Sequence, residues 1–235
     1  GVSPGPKVEG WSLEAVLPEI TRRCVHYIRD RAAAEEPFLL YFPMTSPPTP
    51  ITPSEGFLGQ SGVSLYADFL LETDWCVGQV LRALEQFGVA DDTLVIFTCD
   101  NGTSPKANFT QLDEAGIHLN ANWRGWKADA YEGGHRVPFI VRWPGEVPAG
   151  NSSPALISQI DLFATIAEIV GFKLPDKAAE DSHNHLPLLT GELTAPPIRT
   201  THIHNTKANH YAIRHGDWLL VDGRTGYVSG RNAQW

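Results

Sequence analysis

The sequence predicts an α/β fold: a mostly parallel sheet flanked by helices, incomplete as a sheet, with a small β-rich portion at its C-terminal end. Three observations carry this. Stretches with helical spacing of apolar residues alternate with short apolar runs, the rhythm of a layered α/β protein. Those runs are continuous rather than alternating, as in strands covered on both faces. Beyond Gly171 the pattern changes to a polar, Pro-rich stretch and then to hairpin-like runs.

Taken in order, Leu17, Ile20, Cys24, Tyr27 and Ile28 recur at helical spacing and predict a helix over Leu17 to Arg31, with Pro18 in its first turn. Phe38 to Phe42 is a continuous apolar run and reads as a buried strand. Ser64 to Phe87 is the longest helix, with Tyr66, Phe69, Leu70, Val77, Val80, Leu81 and Leu84 on one side and Gly88 as its stop. Thr93 to Thr98 reads as a second buried strand, Cys99 to Arg136 as a long loop region, and Val137 to Trp143 as a third strand. Ser158, with Asp161 three residues on, caps a helix whose apolar face is Ile160, Phe163, Ile166 and Ile169; Gly171 ends it. Residues 1–171 therefore form the α/β portion, 172–201 a connecting segment, and 202–235 the β-rich part. There His210 to Val221 and Tyr227-Val228 flank an Asp222-Gly223 turn.

Composition narrows the function. A net charge of −9 argues against a nucleic-acid groove, which needs a basic face. No run of about 18 apolar residues exists to span a membrane. Gly1 to Gly10 show no basic region followed by an apolar one, so no signal peptide is expected within the chain. Cys24, Cys76 and Cys99 each lie in an apolar run without zinc spacing and are expected to be buried free thiols.

In a largely parallel sheet, ligands bind beyond the carboxyl ends of strands, here at Thr45 to Pro53 and Asp100 to Arg136. Asp100-Asn101-Gly102 ends a strand and offers a carboxylate and an amide oxygen, the hard donors that Ca²⁺ or Mg²⁺ prefers, although the same tripeptide is also a common turn. Lys127 stands five residues ahead of Glu132-Gly133-Gly134-His135-Arg136-Val137-Pro138; it is a solvated loop lysine or a point charge for an anionic oxygen. Two glycines there permit a close backbone approach. His202 and His204 share one strand face, as ordinary strand histidines or as a site. His135 reads as a hydrogen-bonding structural residue. Asn101, Asn108 and Asn151 match the glycosylation sequon, and a metal role for Asn101 would exclude a sugar.

Four ordered blocks together resemble the sulfatase family of the alkaline-phosphatase-like superfamily. They are the Tyr66 to Gly78 helix with Asp74, the Thr98-Cys99-Asp100-Asn101-Gly102 strand end, the Lys127 to Pro138 stretch with the Arg142-Trp143-Pro144-Gly145 that follows it, and the Ser158 to Thr165 helix. The resemblance runs from about Leu17 to Gly191, and more loosely to Trp235. It implies an arylsulfatase-type hydrolase of sulfate monoesters, acting on a small-molecule or carbohydrate sulfate ester. It implies a formylglycine nucleophile, and neither Cys-x-Pro-x-Arg nor Ser-x-Pro-x-Arg occurs here, so the nucleophile and an early acidic pair of metal ligands are expected outside this chain. Asp100 and Asn101 match the two later ligands of a Ca²⁺ (or Mg²⁺) ion. Lys127 matches the lysine that contacts the sulfate and assists departure of the leaving oxygen. His204 matches a region where relatives place substrate-contacting histidines. One departure stands out: where the family usually has Ser-Pro-His-Thr-Pro, this chain reads Ser46-Pro47-Pro48-Thr49-Pro50, and Pro48 has no side-chain donor to protonate the leaving group. Alone, the chain is expected to show little activity and weak metal binding. A phosphodiesterase or phosphonate hydrolase of the same superfamily, and a degenerate non-catalytic relative, are the alternatives. Family members are found in periplasmic, lysosomal and secreted settings; oligomeric state is not legible.

Overall fold

A computed structural model describes residues 5–6, 8–47, 49–191, 197–206 and 210–222. The chain divides into two compact units, Gly1–Thr93 with Thr103–Ala121, and Leu94–Gly102 with Asn122–Trp235.

The first unit is built on two helices, α1 (Val16–Ala34) and α2 (Leu65–Gln86). Leu17, Phe69 and Cys76 form one buried cluster, joined by Ile20, Phe42, Met44 and Ile51. A second cluster sets Tyr66 and Ala67 against Ala107 and Leu112, the latter on α3 (Phe109–Glu114). The Ser64 hydroxyl accepts the Ala67 amide at 3.2 Å and so starts α2, while Gly88, at φ 71, takes the left-handed turn that stops it. Ser64→Ala should cost about 1 kcal/mol of stability, read as a lower midpoint in urea. Two acidic residues of α2 are buried because they serve the preceding loop: Asp68 accepts the amides of Gly59 and Ser61, both at 2.8 Å, and Glu72 accepts that of Ser54 at 2.8 Å.

Phe38 to Phe42, expected as a strand covered on both faces, joins no sheet among the described residues. Its burial alternates: Phe42 packs on the Leu17 cluster, whereas Leu39 and Tyr41 are 75% and 83% exposed. No strand among the described residues pairs with it, and an extended segment becomes a strand only through a partner's hydrogen bonds.

In the second unit, β1 (Val95–Thr98) and β2 (Phe139–Arg142) pair antiparallel, Val95 opposite Arg142 and Thr98 opposite Phe139. The α/β class stands, and the described pairings are antiparallel rather than parallel. The helices of this unit are α4 (Glu132–His135), α5 (Asp161–Ile169) and α6 (Leu186–Leu189). The capping expected of Ser158 runs the other way: the Asp161 carboxylate reaches back to accept the Ser158 amide at 2.8 Å, and Ile160 is the residue before the helix. The unit ends in an antiparallel sheet, β3 (Thr201–Asn205), β4 (Tyr211–His215) and β5 (Trp218–Asp222), in the order β3-β4-β5. The hairpin turn falls at Gly216-Asp217, with His215 opposite Trp218 and Gly216 at φ 54. Asp222, expected in the turn, instead pairs with Tyr211; Gly223, Tyr227 and Val228 lie outside the described residues.

All three cysteines are free, Cys24 and Cys76 buried and Cys99 half-buried, and burial pushes all three thiols up, Cys76 to about 11. No helix among the described residues is long and apolar enough to cross a membrane.

Candidate functional site

The second unit holds the Asp100-Asn101-Gly102 strand end and the Lys127 to Pro138 stretch, whereas the Thr45 to Pro53 loop lies in the first unit. Beyond Thr98 the chain leaves β1 through Cys99, Asp100, Asn101 and Gly102, with Asp100 exposed and Asn101 half-buried. The Gln159 side-chain amide donates to the Thr98 hydroxyl at 3.2 Å and to the Cys99 carbonyl, which holds the strand end in place. The Gly102 amide donates to the Gly134 carbonyl at 2.9 Å. A Cβ on Gly102 would lie 1.8 Å from the Gly133 carbonyl oxygen, so backbone meets backbone and no larger residue fits.

The same glycine pair is enclosed from the other side. A Cβ on Gly133 would lie 2.1 Å from the Gly125 carbonyl oxygen, and one on Gly134 2.2 Å from that of Asp129. The Gly133 amide donates to the Arg124 carbonyl at 2.7 Å. The loop 124–129 thus wraps Gly133-Gly134, which in turn bears on Gly102. Lys127 sits in this loop, exposed and without an ion pair among the described residues. Its neighbour Ala128 is at φ 77, a left-handed backbone that alanine adopts only at a cost. Asp129 is 3% exposed, and its carboxylate accepts the Trp126 amide at 3.1 Å.

From β3, His202 and His204 face the same way, their rings 5.7 Å apart, and the His204 ring lies 4.0 Å from that of His135. His204 Nε2 donates to the Ala130 carbonyl at 3.1 Å, while its Nδ1 and His135 Nε2 are buried without a partner among the described residues. Burial, with His204 close by, lowers His135 to about 4 against a weaker opposing contact with the Asp129 backbone; burial also lowers His202. Close rings in poor contact with water keep these two histidines neutral at pH 7. Glu132 is shared: Arg136 donates to one carboxylate oxygen at 3.0 Å and Arg214 to the other. Arg136 also stacks on Trp123 at 4.1 Å, and Arg124 on Tyr131 at 4.0 Å.

Asp100 and Asn101 bring hard oxygen donors suited to Ca²⁺ or Mg²⁺, so the donor chemistry fits such an ion, though with only two of the roughly six to eight oxygens that Ca²⁺ takes. Among the described residues no group of three or more His, Cys, Asp or Glu is arranged to hold a metal ion. Pro48 lies outside the described residues. Glu132 and Gln159 fall inside blocks that the sequence singles out, but nothing in the sequence gave their contacts, or Arg214, because each acts through a partner from 60 to 82 residues away.

The chain matches the Sulfatase family model over residues 12–172 and the model described as N-sulphoglucosamine sulphohydrolase, C-terminal, over residues 123–222. It is 36% identical over 229 residues to an N-acetylgalactosamine-6-O-sulfatase of Bacteroides thetaiotaomicron, covering 94% of this chain and 43% of the relative. It is 38% identical over 184 residues to human steryl-sulfatase, covering 77% of this chain and 30% of that protein. A solved structure from work on the metabolism of multiple glycosaminoglycans by B. thetaiotaomicron superposes with a TM-score of 0.82 at 35% identity, covering 90% of this chain and 44% of that one. The chain therefore spans less than half the length of each of these three relatives.

Proposed function

The chain belongs to the sulfatase family, and from that premise we propose that the protein containing it hydrolyses sulfate monoesters, with Lys127 and the Asp100-Asn101 turn on one side of the reacting group. What supports this is one chain of backbone contacts: Gly102 bears on Gly133-Gly134, and the Lys127 loop wraps the same glycine pair. Both blocks therefore meet the same glycine pair.

In this reading Asp100 and Asn101 would hold a Ca²⁺ or Mg²⁺ ion, which when bound supplies positive charge beside the sulfate oxygens. The Lys127 ammonium contacts the sulfate ester and stabilises charge on the departing oxygen. It is exposed and has no ion pair among the described residues, which suits contact with an anionic substrate. The nucleophile, a formylglycine by family resemblance, belongs outside these residues, so the chain alone should turn over little substrate and bind Ca²⁺ weakly. Pro48, where the family usually has a histidine, leaves protonation of the leaving oxygen without its usual donor. A sulfated sugar is the substrate class to test first, because the relative aligned over 94% of this chain is an N-acetylgalactosamine-6-O-sulfatase.

The test is turnover of p-nitrophenyl sulfate by the protein that carries both this chain and the nucleophile. Lys127→Ala should lower kcat about 10²–10³-fold, as loss of one preorganised charge does, and leave the urea midpoint unchanged. Equal turnover by wild type and variant would remove Lys127 from the mechanism, and hydrolysis of phosphate esters alone would replace the sulfatase reading.

A further inference from the structure

We propose that Arg214 and His204 are positioning residues: from β4 and β3 they fix the loop 124–135, and through it the spacing between Lys127 and the Asp100-Asn101 turn. The proposal rests on the assignment of Lys127 to the sulfate-ester site.

Period-two alternation places the two residues on one face of the sheet. His202 lies opposite Arg214 and His204 opposite Ala212, and Ala212 is 2% exposed. The other face carries Ile203, Tyr211, Trp218 and Leu220, all exposed. The inward face meets the loop at two fixed points. His204 Nε2 donates to the Ala130 carbonyl at 3.1 Å, three residues beyond Lys127. Arg214 grips the Glu132 carboxylate, whose second oxygen is held by Arg136 at 3.0 Å.

Arg214 is itself pinned, since its other Nη donates to the Gly216 carbonyl in the β4–β5 turn at 3.0 Å. The Arg214 and Glu132 side chains are 19% and 20% exposed, dry enough for the pair to resist screening by salt. The His135 ring, 4.0 Å from that of His204 and tilted 44° to it, closes the contact just past the glycine pair.

The loop needs outside support. Gly125 at φ 88 and Ala128 at φ 77 are left-handed, and Ala128 pays for that conformation without glycine's freedom. Clamped at Ala130 and Glu132, the loop holds Gly133 and Gly134 against Gly102, one residue from Asn101. Neither Arg214 nor His204 has to touch substrate for this effect.

The test compares Arg214→Met, Arg214→Lys and His204→Phe. Amide hydrogen exchange on the 235-residue chain reads the brace directly, because the Gly102 amide is bonded to the Gly134 carbonyl. Arg214→Met and His204→Phe should each speed exchange at Gly102 by about tenfold or more, while the Ala212 and Leu220 amides of the ladder change less than about twofold. Arg214→Lys, which keeps a donor for Glu132, should stay within about threefold of wild type at Gly102. In the nucleophile-bearing protein, Arg214→Met should lower kcat on p-nitrophenyl sulfate about 10²-fold with KM little changed, the cost of a misplacement on the order of 1 Å.

Unchanged exchange at Gly102, or a rise equal to that across β3–β5, would overturn the brace whatever the activity. Selective exchange at Gly102 in a protein that does not hydrolyse sulfate esters would leave the brace standing and sink the sulfatase assignment alone.

Discussion

Asp161→Asn is expected to remove about 3–5 kcal/mol from the stability of the second unit, the usual cost of breaking one side of a buried ion pair. Asp161 is 1% exposed, and its two oxygens meet most of the polar groups around it. Arg199 donates to them through Nε at 2.9 Å and through an Nη, His185 Nε2 lies at 3.1 Å, and the Ser158 and His183 amides donate at 2.8 and 2.9 Å. One carboxylate thus fastens the start of α5 to the segment before α6 and to the residues that enter β3. Asparagine keeps the shape and one acceptor but leaves Arg199, 7% exposed, as an uncompensated buried charge. Denaturation in urea, followed by exchange at the β3–β5 amides, reads the loss. A variant within about 1 kcal/mol of wild type would show that water reaches Arg199 and that the pair is not dry.

The same residue sets an acid limit. Burial alone pushes the Asp161 carboxyl up, but hydrogen bonds from His185, Arg199 and two backbone amides outweigh it and hold the group well below the usual carboxylate range. A depressed carboxylate adds stability above its unfolded pKa of about 3.9 and loses it as pH falls further toward the folded value, because the unfolded chain takes up the proton first. The gap between wild type and Asp161→Asn should therefore be constant from pH 7 to about 5 and shrink below about 4. A gap that widened on acidification would mean that the fold raises the Asp161 carboxyl rather than depressing it.

Gly102→Ala is the second large effect. The new methyl would sit 1.8 Å from the Gly133 carbonyl oxygen and 3.0 Å from the Gly134 Cα, and neither neighbour is a side chain that can swing aside. Overpacking of this kind costs about 1–3 kcal/mol or more, and relief requires the Asp100-Asn101 turn or the glycine pair to move. Gly56→Ala is the control: nothing lies within 4 Å of the added Cβ and its φ is not left-handed, so it should stay within about 0.5 kcal/mol of wild type. Urea midpoints of the two variants give the comparison, and equal midpoints would mean that the strand end and the glycine pair are not in contact in solution.

The elements that were legible are those whose signal is local. Apolar spacing in α1, Ser64 and Gly88 around α2, and Gly171 after α5 all act within a few residues of chain, so their positions follow from composition and period. The Asp100-Asn101-Gly102 turn and the Lys127 to Pro138 block were legible for another reason, since glycines at close approaches leave a fixed spacing. Phe38 to Phe42 was misread because an apolar run reports burial but not the number of faces buried, and its pairing partner is not written in the run itself. The hairpin turn was misplaced by a similar ambiguity: Gly216-Asp217 and Asp222-Gly223 are both adequate turns, and the cross-strand register decides between them.

By itself the sequence determined α1, α2 and α5, the α/β class, the family and the residue types available for an oxyanion and a hard cation, because propensity, capping and glycine spacing are written along the chain. The short helices α3 and α4, inside Cys99 to Arg136, which reads as a loop, and α6, inside the connecting segment, were not legible. Only the tertiary structure decided that Glu132 meets Arg214, that His204 meets Ala130, that Asp161 gathers Arg199 and His185, and that two glycine backbones touch. Each of those contacts joins residues 24 to 82 positions apart. Pairing across such a distance depends on how elements pack in three dimensions, which no local pattern of residues encodes.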